Sequence, residues 1–220
     1  MTLRLFAHPL SSYCWKALIP LYEAGTPFTF EMLNFGGEAD ETLAEFFRMW
    51  PLGKMPLLRD EARDETVAES SIITDYLDRH YPGAGLIPAD PEAALKARFF
   101  DRFCDQYVMT PQGRLVFEVL RPEGSKDPFG VAEARALLDK AYGYLESELA
   151  DGRTWLAGEA YSIADVSASP SLFYAQRCHA WGERPALQAY YDRLEARPSF
   201  QRVIAEAQPF MQYFPGGPDY

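Results

Sequence analysis

Apolar and polar positions alternate in part from Thr2 to Ala7, just ahead of His8–Pro9, which predicts a short strand leaving a sheet. The spacing then lengthens. Through SSYCWKALIPLYEAG, residues Ala17, Leu18, Leu21 and Tyr22 share one face of a predicted helix that Gly25 is placed to end, with Pro20 an expected kink. PFTFEMLNF returns to alternation and predicts a second strand. Leu43, Phe46 and Phe47 then suit a short helix or helical loop. Pro51 and Gly53 shape a turn before Leu57 and Leu58 enter a strand, and DEARDE reads as a charged hairpin connection to Thr66–Ala68. Glu69–Ser70 stands at the entrance to a helix carrying Ile72, Ile73, Tyr76 and Leu77. This order, β-α-β, an irregular helix, then β-β-α, predicts a compact sheet with helices packed on it.

The Pro/Gly-rich stretch HYPGAGLIPAD breaks the pattern and predicts a domain connection. The expected division is an N-terminal α/β domain over 1–82, a linker over 83–90 and an all-α domain over 91–220. Asp90 followed by Pro91 opens the second domain as a helix cap and first-turn proline. Leu95, Phe99, Phe103 and Val108 or Met109 then recur at helical spacing. After the RPEGSKDP loop, Ala134, Leu137, Leu138, Ala141, Leu145 and Leu149 give a long apolar face. In SIAD, Ser162 and Asp165 fit a reciprocal helix-capping pair and Tyr161 with Val166 fits a hydrophobic staple, so a structural role is expected for Asp165.

Composition narrows the choice of partners. The chain has 220 residues, 48% of them hydrophobic, enough for one large or two small domains. Its 32 acidic and 21 basic side chains leave a formal charge of −11, which opposes nonspecific binding to nucleic acid or anionic lipid. A local site for a small anion is still compatible with that charge. Cys14, Cys104 and Cys178 are too widely spaced for a disulfide scaffold or a zinc site, and His8, His80 and His179 form no recognisable metal cluster. No signal core or membrane-spanning run is present, so a cytoplasmic protein is expected, with neither a membrane nor a nucleic acid as partner.

Three segments could carry chemistry. Ser11 to Cys14 follow the first strand and enter a helix, where free backbone donors and the helix dipole favour an anion. A hydroxyl from Ser11 or Ser12 could there stabilise a thiolate brought by a cofactor, with no histidine base required. Ordinary helix capping is the competing use of these serines, and Cys14 offers a competing thiol-exchange chemistry. Lys54–Met55–Pro56 could pair an extended peptide through the Met55 backbone, most directly if Pro56 is cis. Glu69 could bind an ammonium group, and Ser70 with nearby helix amides a carboxylate. Such ends fit a zwitterionic peptide.

Taken together, these residues resemble the cytosolic glutathione S-transferase family, closest in style to its serine-using members, over nearly the whole chain. HPLSSYCWKALI is similar to the family's first catalytic loop and helix, PLGKMP to its proline-bearing turn, Glu69–Ser70 to its ligand-binding pair, and SIAD to a helix start in its C-terminal domain. The resemblance implies a thioredoxin-like N-terminal domain, an all-α C-terminal domain, a homodimer, and glutathione as cosubstrate for a small hydrophobic electrophile. It implies Ser11, with Ser12 adjacent, as the thiolate-stabilising hydroxyl. Lys54, Met55, Pro56, Glu69 and Ser70 are implied as glutathione contacts. Tyr13, Phe103 and Tyr107 are candidate contacts to the second substrate. The sequence has Trp50 where asparagine is common in the family's turn, which removes a polar contact or replaces it by packing. A thiol-disulfide oxidoreductase using Cys14 and a non-catalytic glutathione-binding dimer are the alternative readings.

Overall fold

The computed structural model describes residues 2–36 and 40–215. The chain divides into two compact units, Met1–Leu86 and Ile87–Tyr220.

The first unit is built on a four-stranded sheet with strand order β2-β1-β3-β4. Its strands are β1 (Leu3–Ala7), β2 (Thr29–Met32), β3 (Leu57–Asp60) and β4 (Glu65–Ala68). β1 runs parallel to β2 and antiparallel to β3, and β3 pairs antiparallel with β4. Three helices join them: α1 (Ser12–Glu23), α2 (Glu41–Met49) and α3 (Ser70–His80). Alternation along β1 sends Phe6 to one face, where it packs in a buried cluster with Leu33, Phe46 and Leu57. α2 is fastened over this cluster from the sheet: Arg4 reaches Glu45 with two bonds of 2.7 and 2.8 Å and Glu31 with one of 2.8 Å. Hydrogen bonding and attraction from Arg4 hold the Glu45 carboxyl below its ordinary range.

α1 runs unbroken through Pro20. Proline cannot donate to the carbonyl four residues back, so the Lys16 carbonyl receives no helix hydrogen bond from position 20. The Thr74 hydroxyl of α3 lies 3.3 Å from it and 3.1 Å from the Ser70 carbonyl of its own helix, so its one proton is shared between the two acceptors. The hairpin between β3 and β4 closes on Asp60, whose buried carboxylate accepts from the Tyr81 hydroxyl at 2.5 Å and the Tyr76 hydroxyl at 2.8 Å. The amides of Ala62 and Arg63 also donate to it, at 3.1 and 3.3 Å.

The second unit is helical throughout its regular structure: α4 (Pro91–Phe103), a π-helical segment (Cys104–Met109), α5 (Thr110–Leu120), α6 (Pro128–Leu149), α7 (Ile163–Cys178), α8 (Pro185–Glu195) and α9 (Pro198–Ala207). Asp90 caps α4 by accepting from Ala93 N at 2.8 Å. The sequence pattern predicts one helical period through Met109, and the chain instead widens after Phe103. The reason lies two residues beyond the segment, at Pro111, which has no amide to bond to the Tyr107 carbonyl. The Thr110 amide and hydroxyl both turn to the Asp105 carbonyl, the hydroxyl at 2.9 Å.

α7 is the core of this unit and is buried from Ile163 to Ala175. Its start has the capping box read from the sequence: Asp165 accepts from Ser162 N at 2.9 Å while the Ser162 hydroxyl caps the helix. Asp165 also accepts from Leu156 N at 2.9 Å and the Tyr190 hydroxyl at 2.7 Å, so it ties three segments together. α8 has no side-chain cap of its own, and Glu146 of α6 supplies one by accepting from Ala186 N and Leu187 N at 3.2 and 2.8 Å.

Candidate functional site

Strand register gathers the candidate residues of the first unit at one end of its sheet. Leu57 pairs with Ala68 and with Phe6, so the start of β3, the end of β4 and the end of β1 lie side by side. Lys54, Met55 and Pro56 precede Leu57, Glu69 and Ser70 follow Ala68, and Ser11, Ser12 and Tyr13 come after the short exit from β1. Residues far apart in the chain therefore share one sheet edge.

Ser11 is the N-cap of α1. Its hydroxyl oxygen accepts from the Cys14 amide at 3.3 Å and its own amide donates to the His8 carbonyl at 3.0 Å. The His8 ring supports the same loop by accepting from Leu10 N at 3.1 Å, and burial lowers its pKa. Ser11, Ser12 and Tyr13 are all partly exposed. Cys14 is different: it is fully buried, and burial pushes its thiol up to about 11 against the opposing hydrogen bonds from Ser11 and the His8 backbone. A thiol in that setting stays protonated at neutral pH and does not face a ligand. The thiol-exchange alternative on Cys14 loses its chemical basis.

The Met55–Pro56 peptide bond is cis. Lys54 is exposed, Met55 partly buried and Pro56 buried. Glu69 sits at φ 71° and ψ 120°, in the left-handed region that a non-glycine side chain seldom adopts. Asp64 also has positive φ, within the tight turn of the β3–β4 hairpin. Glu69 instead holds this conformation beside a buried Ser70, with its own side chain exposed and capping nothing. Such conformations cost of order 1–3 kcal/mol and cluster at ligand clamps. Sequence reading finds the Glu-Ser pair but cannot find its backbone conformation, which has no local residue signature.

α1 and α3 begin near each other. Lys16 of α1, fully buried, donates from Nζ to the Ser71 hydroxyl of α3 at 3.0 Å. This places the open N-terminus of α3, at Ser70, beside the helix that Ser11 caps, so two helix dipoles present their positive ends at one sheet edge. The arrangement suits a ligand with a carboxylate at α3 and a thiolate at α1.

In the second unit, Phe103 is buried and Tyr107 is half-exposed. Their rings are 5.1 Å apart, and Tyr144 of α6 lies 5.0 Å from Phe103. Tyr107 belongs to the π-helical segment, which sequence periodicity misses because apolar residues before and after it continue to recur at near-helical intervals. Among the described residues no group of His, Cys, Asp and Glu side chains is placed to hold a metal ion. No helix is long and apolar enough to cross a membrane, again among the described residues.

The family model for the glutathione S-transferase N-terminal domain matches residues 5–85, and that for the C-terminal domain matches residues 128–193. The glutathione S-transferase GstB of Escherichia coli strain K12 is 26% identical over 193 residues, spanning 86% of this chain and 91% of GstB. Among solved structures, a glutathione S-transferase from Methylobacterium radiotolerans in complex with glutathione sulfonate is 30% identical. It aligns over 92% of this chain and 94% of its own, with a TM-score of 0.79. A glutathione S-transferase from Methylobacillus flagellatus with GSH bound is 25% identical over 91% and 98% of the two chains, with a TM-score of 0.81.

Proposed function

The chain belongs to the glutathione S-transferase family and is a glutathione-dependent transferase, and on that premise we propose that Ser11 stabilises the thiolate of bound glutathione for attack on a small hydrophobic electrophile. The observation that carries this assignment is the position of the Ser11 hydroxyl: it caps α1 at the sheet edge, partly exposed, while the neighbouring thiol of Cys14 is sealed in the core. Ser12, the first residue of α1, is the adjacent second candidate.

Glutathione lies along the sheet edge in this reading. The backbone of Met55, ahead of cis-Pro56, pairs with the peptide; Lys54 neutralises one carboxylate; Glu69 takes the ammonium of the γ-glutamyl end; Ser70 and the α3 amides take its carboxylate. The thiol loses its proton to solvent, and the Ser11 hydroxyl donates to the resulting sulfur anion. The sulfur electron pair then forms a bond to the electrophilic carbon. A leaving group departs with its electron pair, or, in an addition, the carbon skeleton takes up a proton. Ser11 lowers the thiol pKa and acts as no base.

Tyr13, Phe103 and Tyr107 are the proposed contacts to the electrophile. The proposed assignment of domains is glutathione binding to 1–82 and substrate binding to 91–220, joined by 83–90. We place the protein in the cytoplasm and propose a homodimer, supported by the exposed apolar side chains Leu95, Phe99 and Tyr144 along α4 and α6. The test is a steady-state conjugation assay with a chloronitroarene, paired with an ultraviolet titration of the bound glutathione thiol. Ser11→Ala is expected to raise the thiol pKa and lower turnover. An unchanged thiol pKa in that variant overturns the assignment.

A further inference from the structure

The tryptophans of this chain treat their indole N–H groups differently. Trp15 donates from Nε1 to the Pro9 carbonyl at 2.6 Å, and Trp181 to Gln188 Oε1 at 3.0 Å. Trp50 Nε1 is shut away from solvent and has no hydrogen-bond partner among the described residues. A buried donor left unpaired costs about 1–3 kcal/mol, and native structures retain few of them without a use.

The surroundings of Trp50 point to that use. Its backbone ends α2, donating to the Phe46 carbonyl at 2.8 Å, and its own carbonyl accepts from Gly53 N at 2.9 Å in the turn that leads to Met55. Gly53 holds φ +62°, and a Cβ there would meet the Phe47 ring at 2.6 Å, so a side chain at this point of the turn would be strained and would displace that ring. The Trp50 ring packs on the Phe6, Leu33, Phe46 and Leu57 cluster, and so do the side chains of Met55 and Ala68. Those neighbours immediately precede cis-Pro56 and the Glu69–Ser70 pair. The orphaned donor thus belongs to a ring that shares one apolar cluster with the residues leading into both segments that carry the proposed glutathione contacts.

We propose that Trp50 is a specificity-determining residue whose indole N–H takes its acceptor from bound glutathione, an oxygen of the peptide held by the turn. This inference rests on the glutathione site proposed above. The proposal requires the indole to turn about its side-chain bonds on ligand binding, at a backbone position that lies, with residues 50–56, outside helix and strand. The ligand-free protein carries the unmet donor, and the complex satisfies it. Affinity therefore depends on a peptide oxygen at this point, and a thiol that lacks the peptide gains nothing from it.

The test uses the whole protein labelled with 15N at tryptophan. The Trp50 indole resonance is assigned in the wild-type protein by its through-space contacts to the Phe46 and Leu57 side chains and is followed during titration with glutathione and with 2-mercaptoethanol. It is expected to move downfield with glutathione and not with 2-mercaptoethanol. Trp50→Phe is expected to weaken glutathione binding about tenfold, the scale of one hydrogen bond. Binding of glutathione to the wild-type protein with an unmoved Trp50 resonance overturns the inference and leaves the site reading standing. Failure of wild-type protein to bind glutathione overturns both. The wild-type titration decides the matter even if the variant does not fold.

Discussion

The Cys14 amide is held twice by Ser11 at the head of α1, at 2.9 Å from its carbonyl oxygen and 3.3 Å from its hydroxyl oxygen. The cap fixes the hydroxyl at the helix mouth and at the same time draws the next thiol inward, where it is fully buried. One local geometry thus makes Ser11 the available polar group and removes Cys14 from contention.

Ser11→Ala therefore has a structural and a chemical consequence of different size. Loss of the cap should cost about 1 kcal/mol of stability. Loss of a donor to the sulfur anion should lower kcat/KM about a hundredfold. Ser12→Ala, which leaves the cap in place, should stay near wild type in both. Thermal melts and conjugation kinetics on the two variants check this, and a kinetic loss confined to Ser12→Ala would transfer the role to Ser12.

The buried state of Cys14 is open to direct measurement. With its thiol pushed up to about 11, native protein treated with iodoacetamide at neutral pH should remain unlabelled at Cys14, whereas unfolded protein should label fully. Peptide mass spectrometry after brief labelling reads the difference. Rapid native labelling would return Cys14 to the chemistry of the site.

Asp60 makes acid stability depend on one hairpin. Burial by itself raises the pKa of this carboxyl, but the hydroxyls of Tyr81 and Tyr76 and the amides of Arg63 and Ala62 outweigh it and leave the pKa below its ordinary value. A depressed folded pKa stabilises the protein above the unfolded pKa, and that contribution is lost as pH falls through the folded value. Asp60→Asn should lower stability at neutral pH by about 1–3 kcal/mol and flatten the acid limb of the stability curve. Denaturant titrations across the acid range measure both effects.

Asp165 should behave as a folding residue. Its carboxylate accepts from Leu156 N, Ser162 N and the Tyr190 hydroxyl inside the second unit, and burial pushes its pKa upward. Asp165→Ala strands these donors and should destabilise the protein by about 3–5 kcal/mol. The soluble fraction that folds should keep its specific activity. Expression yield, Tm and active-site titration separate the two effects, and a folded but inactive variant would contradict the structural role.

The local signals that sequence carries well are caps, turns and alternation. Asp90–Pro91, Ser162 with Asp165, and the DEARDE hairpin each depend on residues within a few positions of one another, and each occurs where its residue chemistry requires. The helix expected through Met109 illustrates the opposite case. Pro111 removes a donor from the next turn, and whether the chain breaks, kinks or widens into a π segment depends on how the freed carbonyls find partners, which local pattern does not specify.

The sequence by itself determined the order of strands and helices in the first unit, the overall acidity, and the residue types at the candidate site, because each follows from short-range periodicity, charge or a motif. Tertiary structure decided which of these residues lie together. The Leu57 pairing with both Phe6 and Ala68 brings the exit of β1, the cis-Pro56 turn and Glu69–Ser70 to one edge. It also decided burial, closing Cys14 off while leaving Ser11 open, and set Glu69 at a positive φ. These are consequences of long-range strand register and packing, which bring together residues that the chain holds dozens of positions apart, so no local window of sequence contains them.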